Sequence, residues 1–317
     1  MGTPFELTIL GSSSATPTSK RHPTAQLLNV AERFFLIDCG EATQIQLRRN
    51  HIRFQRINHI FISHLHGDHY LGLMGLLSSL HLLGRKNLLH LYHPPGLKMI
   101  IEIQLEFSGT ILNYPIEWHE HRFDKQEIIF EDDLLTVETI LLNHRIPCCG
   151  FLFREKPRPF SIDREKAVQH KIPLSQMALL KQGEDAVTDD GTIVPNEAVT
   201  RGRPAARSYA FCSDTRYDER VIAQVKGVDL LYHEATFLHE LLERAKTTHH
   251  TTALEAGRVA RLAKVKQLVI GHFSVRYHDL QPLLDEARIE FPQTLLAEEG
   301  TVFQVPEQWV VQKTSEA

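Results

Sequence analysis

Residues Ser63-His-Leu-His-Gly-Asp-His69 constrain the fold of this chain more than any other stretch. A largely apolar run, Ile57 to Ile62, leads into them, and a helical pattern beginning near Tyr70 leads away. A strand, a short loop and a helix are therefore predicted in that order, with four metal-binding side chains at the junction. Side chains alternate in direction along an extended chain, so His64, His66 and Asp68 can face the same way. Gly67 permits a sharp turn, and His69 is then carried at the helix start. One zinc ion takes three or four protein ligands, so the cluster nearly fills one site and leaves ligands over for a second.

The chain has 317 residues, 42% hydrophobic and 23% charged, which suits one large α/β domain with an insertion. It holds no run of eighteen apolar residues, so no membrane span is expected. The start, Met1-Gly-Thr-Pro-Phe-Glu, has neither a basic stretch nor an apolar one, so no signal peptide is expected and a cytoplasmic location follows. Cys39, Cys148, Cys149 and Cys212 show no paired spacing and are expected to be reduced. A formal net charge of -4 lacks the basic footprint usual for a nucleic-acid partner, but bound metal ions would add local positive charge.

Short apolar runs separated by turn signals predict strands at Phe5–Leu10, Gln26–Asn29, Phe34–Asp38, Leu88–Tyr92, Ile116–His119, Ile128–Phe130, Leu134–Leu142 and Gly150–Phe153. Helices are predicted near Glu41–Leu47, over Tyr70–Leu83 with Gly84 as its stop, and over Leu97–Phe107. Strand–helix repetition mixed with hairpins suggests two sheets covered by helices. Residues 155–206 differ: five prolines, scattered charges and one helical piece, Arg164–His170, read as an arm or long loop without its own core. Asp189-Asp190-Gly191-Thr192 within it reads as a hairpin turn.

Order returns at the buried strands Ser208–Cys212, Val228–Tyr232 and Gln267–Ile270. Each ends in a ligand or base: Asp214, His233-Glu234 and Gly271-His272. His144 likewise follows the strand ending near Leu142. Strand ends converge when strands lie side by side, so these residues can join the opening cluster. Five histidines and two aspartates suit two borderline metal ions, with a carboxylate available as a bridge.

The cluster, with His144, Asp214 and His272 following in order, resembles the metallo-β-lactamase superfamily, whose fold is an αββα sandwich with metals at one edge of the sheets. Finer features resemble its ribonuclease Z branch, the tRNA 3′-processing endonucleases. These are Phe35-Leu-Ile-Asp-Cys-Gly-Glu41, Phe211-Cys-Ser-Asp-Thr-Arg216, His233-Glu-Ala-Thr-Phe237, His250-Thr-Thr252 and Gly271-His-Phe-Ser-Val-Arg-Tyr277. The resemblance runs from about Leu7 to Phe303, one catalytic domain over 1–317 interrupted by an arm at 155–206.

The resemblance implies that His64, His66 and His144 hold one zinc, that Asp68, His69 and His272 hold the other, and that Asp214 bridges them. It further implies Asp68 acting on the attacking water, and His250, oriented by Glu234, protonating the leaving 3′-oxygen. Neighbouring His249 is the other candidate for that acid. Ser274 and Arg276 are expected on substrate phosphate, and Asp38 as support for the metal site. In the arm, Lys181 and Gly183-Glu184 match the family's tRNA grip, while its Gly-Pro step is absent and Asp185, Asp189 and Asp190 add acidity. The implied partners are precursor tRNA and a second copy of the chain. A phosphodiesterase or arylsulfatase of the same fold, acting on small molecules, is the alternative.

Overall fold

Alternating side chains along the strands build three hydrophobic layers, and those layers set the architecture. The computed structural model describes residues 2–310. Strands β1 (Phe5–Gly11), β2 (Ala25–Val30), β3 (Arg33–Ile37), β4 (Ile57–Phe61), β5 (Leu89–His93) and β6 (Ile116–Glu120) form a sheet in that order, with Val302–Gln304 added beyond β1. Strands β7 (Ile128–Glu131), β8 (Leu135–Leu141) and β9 (Cys149–Glu155) continue into Ser208–Cys212, Leu230–Glu234, Gln267–Gly271 and Thr294–Leu296 as a second sheet. Each sheet has seven strands and mixes parallel with antiparallel pairs.

Phe35, Ile37 and Phe61 from the first sheet meet Phe151, Phe153, Tyr209, Phe211 and Tyr232 from the second, closing the central layer. The alternate residues Leu36, Ile60 and Ile62 turn outward onto helices that include Leu73–Leu82 and Leu97–Phe107. Ala210, Cys212 and Leu231 turn outward on the other side, onto Ala253–Ala263 and Gln281–Glu290. Residues buried on both faces explain why these strands read as nearly continuous apolar runs. The result is the αββα sandwich expected, and the predicted strands fall within a few residues of those observed.

The helix expected over Tyr70–Leu83 is instead two, Gly67–Tyr70 and Leu73–Leu82. The cause is backbone contact: the Gly72 N–H donates to the Cys39 carbonyl at 2.9 Å, and a Cβ at Gly72 would lie 2.0 Å from the Gly40 carbonyl oxygen. That contact ties the loop after β3 to the metal-cluster helix. Gly84 has φ of +79°, the left-handed stop expected of it.

The described chain divides into two compact units, residues 2–154 with 208–305, and residues 155–207 with 306–310. The second unit corrects the expectation of an arm without a core. Ala167, Ile172, Leu180, Ala186, Val194 and Val199 pack together, and helices form at Met177–Gln182 and Asn196–Val199 as well as Arg164–Gln169. Buried Asn196 donates through Nδ2 to the carbonyls of Leu180 (2.8 Å) and Glu184 (3.0 Å), crosslinking these short pieces. The hairpin turn is present, with Gly191 at φ +83° between strands Ala186–Val187 and Ile193–Val194. All four cysteines are free and buried.

Candidate metal centre

Strand ends and one short helix beside them carry every member of the predicted cluster into one place. His64 and His66 follow β4, His144 follows β8, Asp214 follows Ser208–Cys212, and His272 follows Gln267–Gly271. Helix Gly67–Tyr70 supplies Asp68 and His69. Because that helix begins at Gly67, Asp68 does not continue the alternation of His64 and His66 as the spacing suggested. It turns toward His69 and His272.

Two groups of donors result: His64, His66, His144 with Asp214, and Asp68, His69 with His272. His66 Nδ1 lies 3.1 Å from the Nε2 atoms of both His64 and His144. Asp214 Oδ2 lies 3.6 Å from His64 Nε2 and 3.8 Å from His144 Nε2. Its other oxygen, Oδ1, lies 3.3 Å from His69 Nε2 and 3.2 Å from His272 Nε2. Asp68 Oδ2 is 3.3 Å from His272 Nε2 and 3.4 Å from His69 Nε2. One carboxylate thus presents one oxygen to each group, the geometry of a bridge.

The donor set fits metal on a further count. His69 Nε2 and Asp214 Oδ1 are buried with no hydrogen-bond partner. Buried polar atoms are rarely left so, and each costs about 1–3 kcal/mol unless a ligand satisfies it.

The far nitrogen of His64, His69, His144 and His272 is held, which fixes each ring and its tautomer. His69 Nδ1 donates to Asp38 at 2.7 Å, and His144 Nδ1 to the His249 carbonyl at 2.9 Å. Ser63 Oγ sits 3.0 Å from His64 Nδ1, and Thr236 Oγ1 3.0 Å from His272 Nδ1. Asp38 also accepts from the Ser63 N–H and hydroxyl, and it is held in left-handed backbone at φ +54°. Its support role is therefore visible as three hydrogen bonds to the cluster loop.

Electrostatics follow from the packing. Burial is the largest influence on His66 and His144 and holds each down at about 4, so both are neutral donors. Burial alone would also lower His69, but Asp214, Asp68 and Asp38 outweigh it and raise it well above the ordinary value. Burial opposes ionisation of Asp68, yet the charge of neighbouring His69, above all, brings it far below the usual carboxylate range.

His250 stands beside the second group, its ring 5.4 Å from that of His272. Its Nδ1 pairs with the buried Glu234 carboxylate at 2.8 Å. Burial would depress His250, but Glu234 reverses this and raises it to about 9. His249 is different: it turns the chain at φ +56° and uses its carbonyl to hold His144. The Thr236 hydroxyl donates to Glu234 at 2.7 Å while facing His272, so it joins the two histidine environments. In the same motif as His250, Thr251 donates to the Thr215 carbonyl at 2.5 Å and Thr252 forms a capping box with Glu255.

Sequence reasoning missed three members of the site. Ser14, Ala15 and Arg145 line the same cleft as Asp68, His250 and His272, and the Ala15 N–H donates to Asp68 Oδ2 at 2.7 Å. Arg145 directly follows His144, and that adjacency was the available signal. Ser274 and Arg276 bond to one another at 3.1 Å, with the guanidinium 5.2 Å from the Phe237 ring centre. Among the described residues no carboxylate pairs with Arg276. Lys181 is exposed on helix Met177–Gln182 in the second unit.

Comparison with known proteins decides the family. The chain is 50% identical over 296 residues to a ribonuclease Z of Bacteroides thetaiotaomicron, spanning 93% of this chain and 94% of that protein. It belongs to the ribonuclease Z family. The human short-form tRNase Z structure superposes with a TM-score of 0.70 at 27% identity, covering 95% of this chain and 99% of that one. The metallo-β-lactamase fold protein YhfI of Bacillus subtilis shares the fold, with a TM-score of 0.67 at 17% identity over 96% and 100% of the two chains. Residues 5–156 also match the family model described as anti-Pycsar protein Apyc1. For this ribonuclease Z family chain, the His/Asp clusters make a metal cofactor part of the hydrolytic site.

Proposed function

We propose that this chain is a dinuclear-zinc endoribonuclease that removes the 3′ trailer from precursor tRNA. The observation that carries the reading is Asp214, whose two oxygens face two separate histidine groups while the His250–Glu234 pair stands alongside. Its place in a family of proteins named ribonuclease Z supplies the substrate. His64, His66 and His144 would hold one ion, Asp68, His69 and His272 the other, with Asp214 shared. Bound metal supplies acidification of water and neutralisation of charge on the phosphoryl oxygens.

The protein's own groups do the rest. Asp68, ionised and anchored by the Ala15 N–H, accepts a hydrogen bond from the attacking water and orients it, and the water's proton leaves to solvent. As the new P–O bond forms, the bond from phosphorus to the 3′-oxygen of the tRNA breaks. His250, raised to about 9 by Glu234, is protonated at neutral pH and gives its proton to that oxygen. The tRNA leaves with a 3′-hydroxyl and the trailer with a 5′-phosphate. Arg145 in the cleft, with Ser274 and Arg276 beyond His272, would hold flanking phosphates.

The unit from residue 155 to 207 is the tRNA-gripping arm in this reading, with Lys181 among its contacts and a homodimer as the working form in the cytoplasm. No helix among the described residues is long and apolar enough to cross a membrane. End-mapped cleavage of precursor tRNAs by metal-loaded protein, with metal analysis alongside, tests the reading. A cut after the discriminator base supports it; an intact precursor overturns it. Hydrolysis of a small diester with no cutting of tRNA would favour the small-molecule alternative.

A further inference from the structure

A second group of metal-type donors lies on the first sheet, away from the catalytic centre. His90 on β5 sits directly across from Glu117 on β6, and His119 lies two residues further along β6 on the same face. His90 Nδ1 is 3.1 Å from His119 Nε2 and 3.4 Å from Glu117 Oε2, while His119 Nε2 is 3.7 Å from Glu117 Oε1. Tetrahedral zinc with bonds of about 2.0–2.2 Å requires its ligand atoms to be roughly 3.3–3.5 Å apart. These three contacts bracket that separation. The 3.1 Å approach of two imidazole nitrogens also recurs twice inside the catalytic centre, at His64–His66 and His66–His144.

The donors are held rather than floppy. Phe61, Tyr92 and His119 form one stacked row across β4, β5 and β6, with ring centres 4.3 and 4.5 Å apart. His59 and His90 stack in the next row at 4.9 Å with an interplanar angle of 8°. The side chains of His90 and His119 are 26% and 31% exposed, which leaves water or a second ligand room to complete the coordination. β6 is the edge strand of its sheet, so an ion here would tie that edge to β5.

We propose that His90, Glu117 and His119 form a separate binding site for a borderline divalent cation, zinc by the chemistry of its two nitrogen and one carboxylate donors. His59 on β4 precedes His64 by five residues, about 16 Å of extended chain, so this site lies toward the opposite end of the strands from the catalytic cluster. It takes no part in the cleavage steps above.

The test compares zinc bound per chain after equilibrium dialysis in the full-length wild type and in the Glu117→Gln/His119→Gln double variant. The expected result is one zinc fewer in the variant, with precursor cleavage at the wild-type rate. Because only the difference is read, the outcome stands whatever number of ions the catalytic centre holds. Anomalous scattering at the zinc edge from wild-type crystals gives a second measurement that needs no variant: a peak among the three side chains is expected. Equal zinc content in the two proteins, or no anomalous peak there, overturns the proposal.

Discussion

Replacing Glu234 with Gln isolates the group that raises His250. The carboxylate pairs with His250 Nδ1 at 2.8 Å in a buried setting and holds the imidazole at about 9. Loss of its charge takes His250 back toward its ordinary 6.5, a difference worth roughly 3.4 kcal/mol between the two protonation states. At pH 8 the protonated fraction then falls from about 90% to about 3%, so cleavage should slow by about 30-fold. At pH 6 the same change costs less than about twofold, because both forms remain largely protonated. Cations in the neighbouring centre displace both profiles toward lower pH, so the separation of the profiles carries the test.

Stability has the opposite sign. The raised pKa of His250 stabilises the fold fully below its ordinary value of 6.5, and that contribution is lost as pH rises through about 9. The pH-dependent part of the variant's stability deficit is therefore largest below pH 6.5 and closes above 9. Single-turnover cleavage of a precursor tRNA from pH 6 to 9 reads the first effect, and thermal unfolding over the same range reads the second. A nitrophenyl phosphodiester, whose leaving group needs no proton, should be spared by the substitution. A rate loss of equal size at every pH and on both substrates would refute the reasoning and leave Glu234 a structural residue.

Asp214→Ala should abolish cleavage and reduce bound metal in both groups at once, checked by activity and metal content on the same sample. Asp38→Asn keeps the shape but weakens the hold on His69, so metal affinity should fall by about 10–100-fold, measured by competition with a chelator. Phe61→Ala empties the central layer between the sheets and should cost about 3–5 kcal/mol in denaturant unfolding. Thr252→Ala removes the capping box of helix Ala253–Ala263 and should cost about 1 kcal/mol by the same measurement.

The strands were legible because burial on both faces leaves unbroken apolar runs, as at Ser208–Cys212, which is buried throughout. The donor residues were legible because strand ends in one sheet must converge, and His144, Asp214 and His272 all follow strands of the second sheet. The break at Gly72 was not, since it arises from contact with Gly40, distant in sequence and carrying no pattern of its own. The core of the 155–207 unit was hidden for a related reason. Its apolar residues come singly from short helices and a two-residue hairpin, too dispersed for any period to emerge. Ala15 acts through its backbone N–H, a group every residue but proline possesses, so no side chain could have announced it.

The Thr236 hydroxyl has one proton to place. Given to Glu234, it leaves the oxygen only as an acceptor, and His272 must then present Nδ1–H to it and Nε2 as a lone pair toward Asp214. The proton arrangement of the His250–Glu234 pair and that of His272 are thus written on one oxygen atom. Metal affinity in the second group should accordingly follow the charge on Glu234, and in a hydroxyl-free Thr236→Val protein that dependence should be lost.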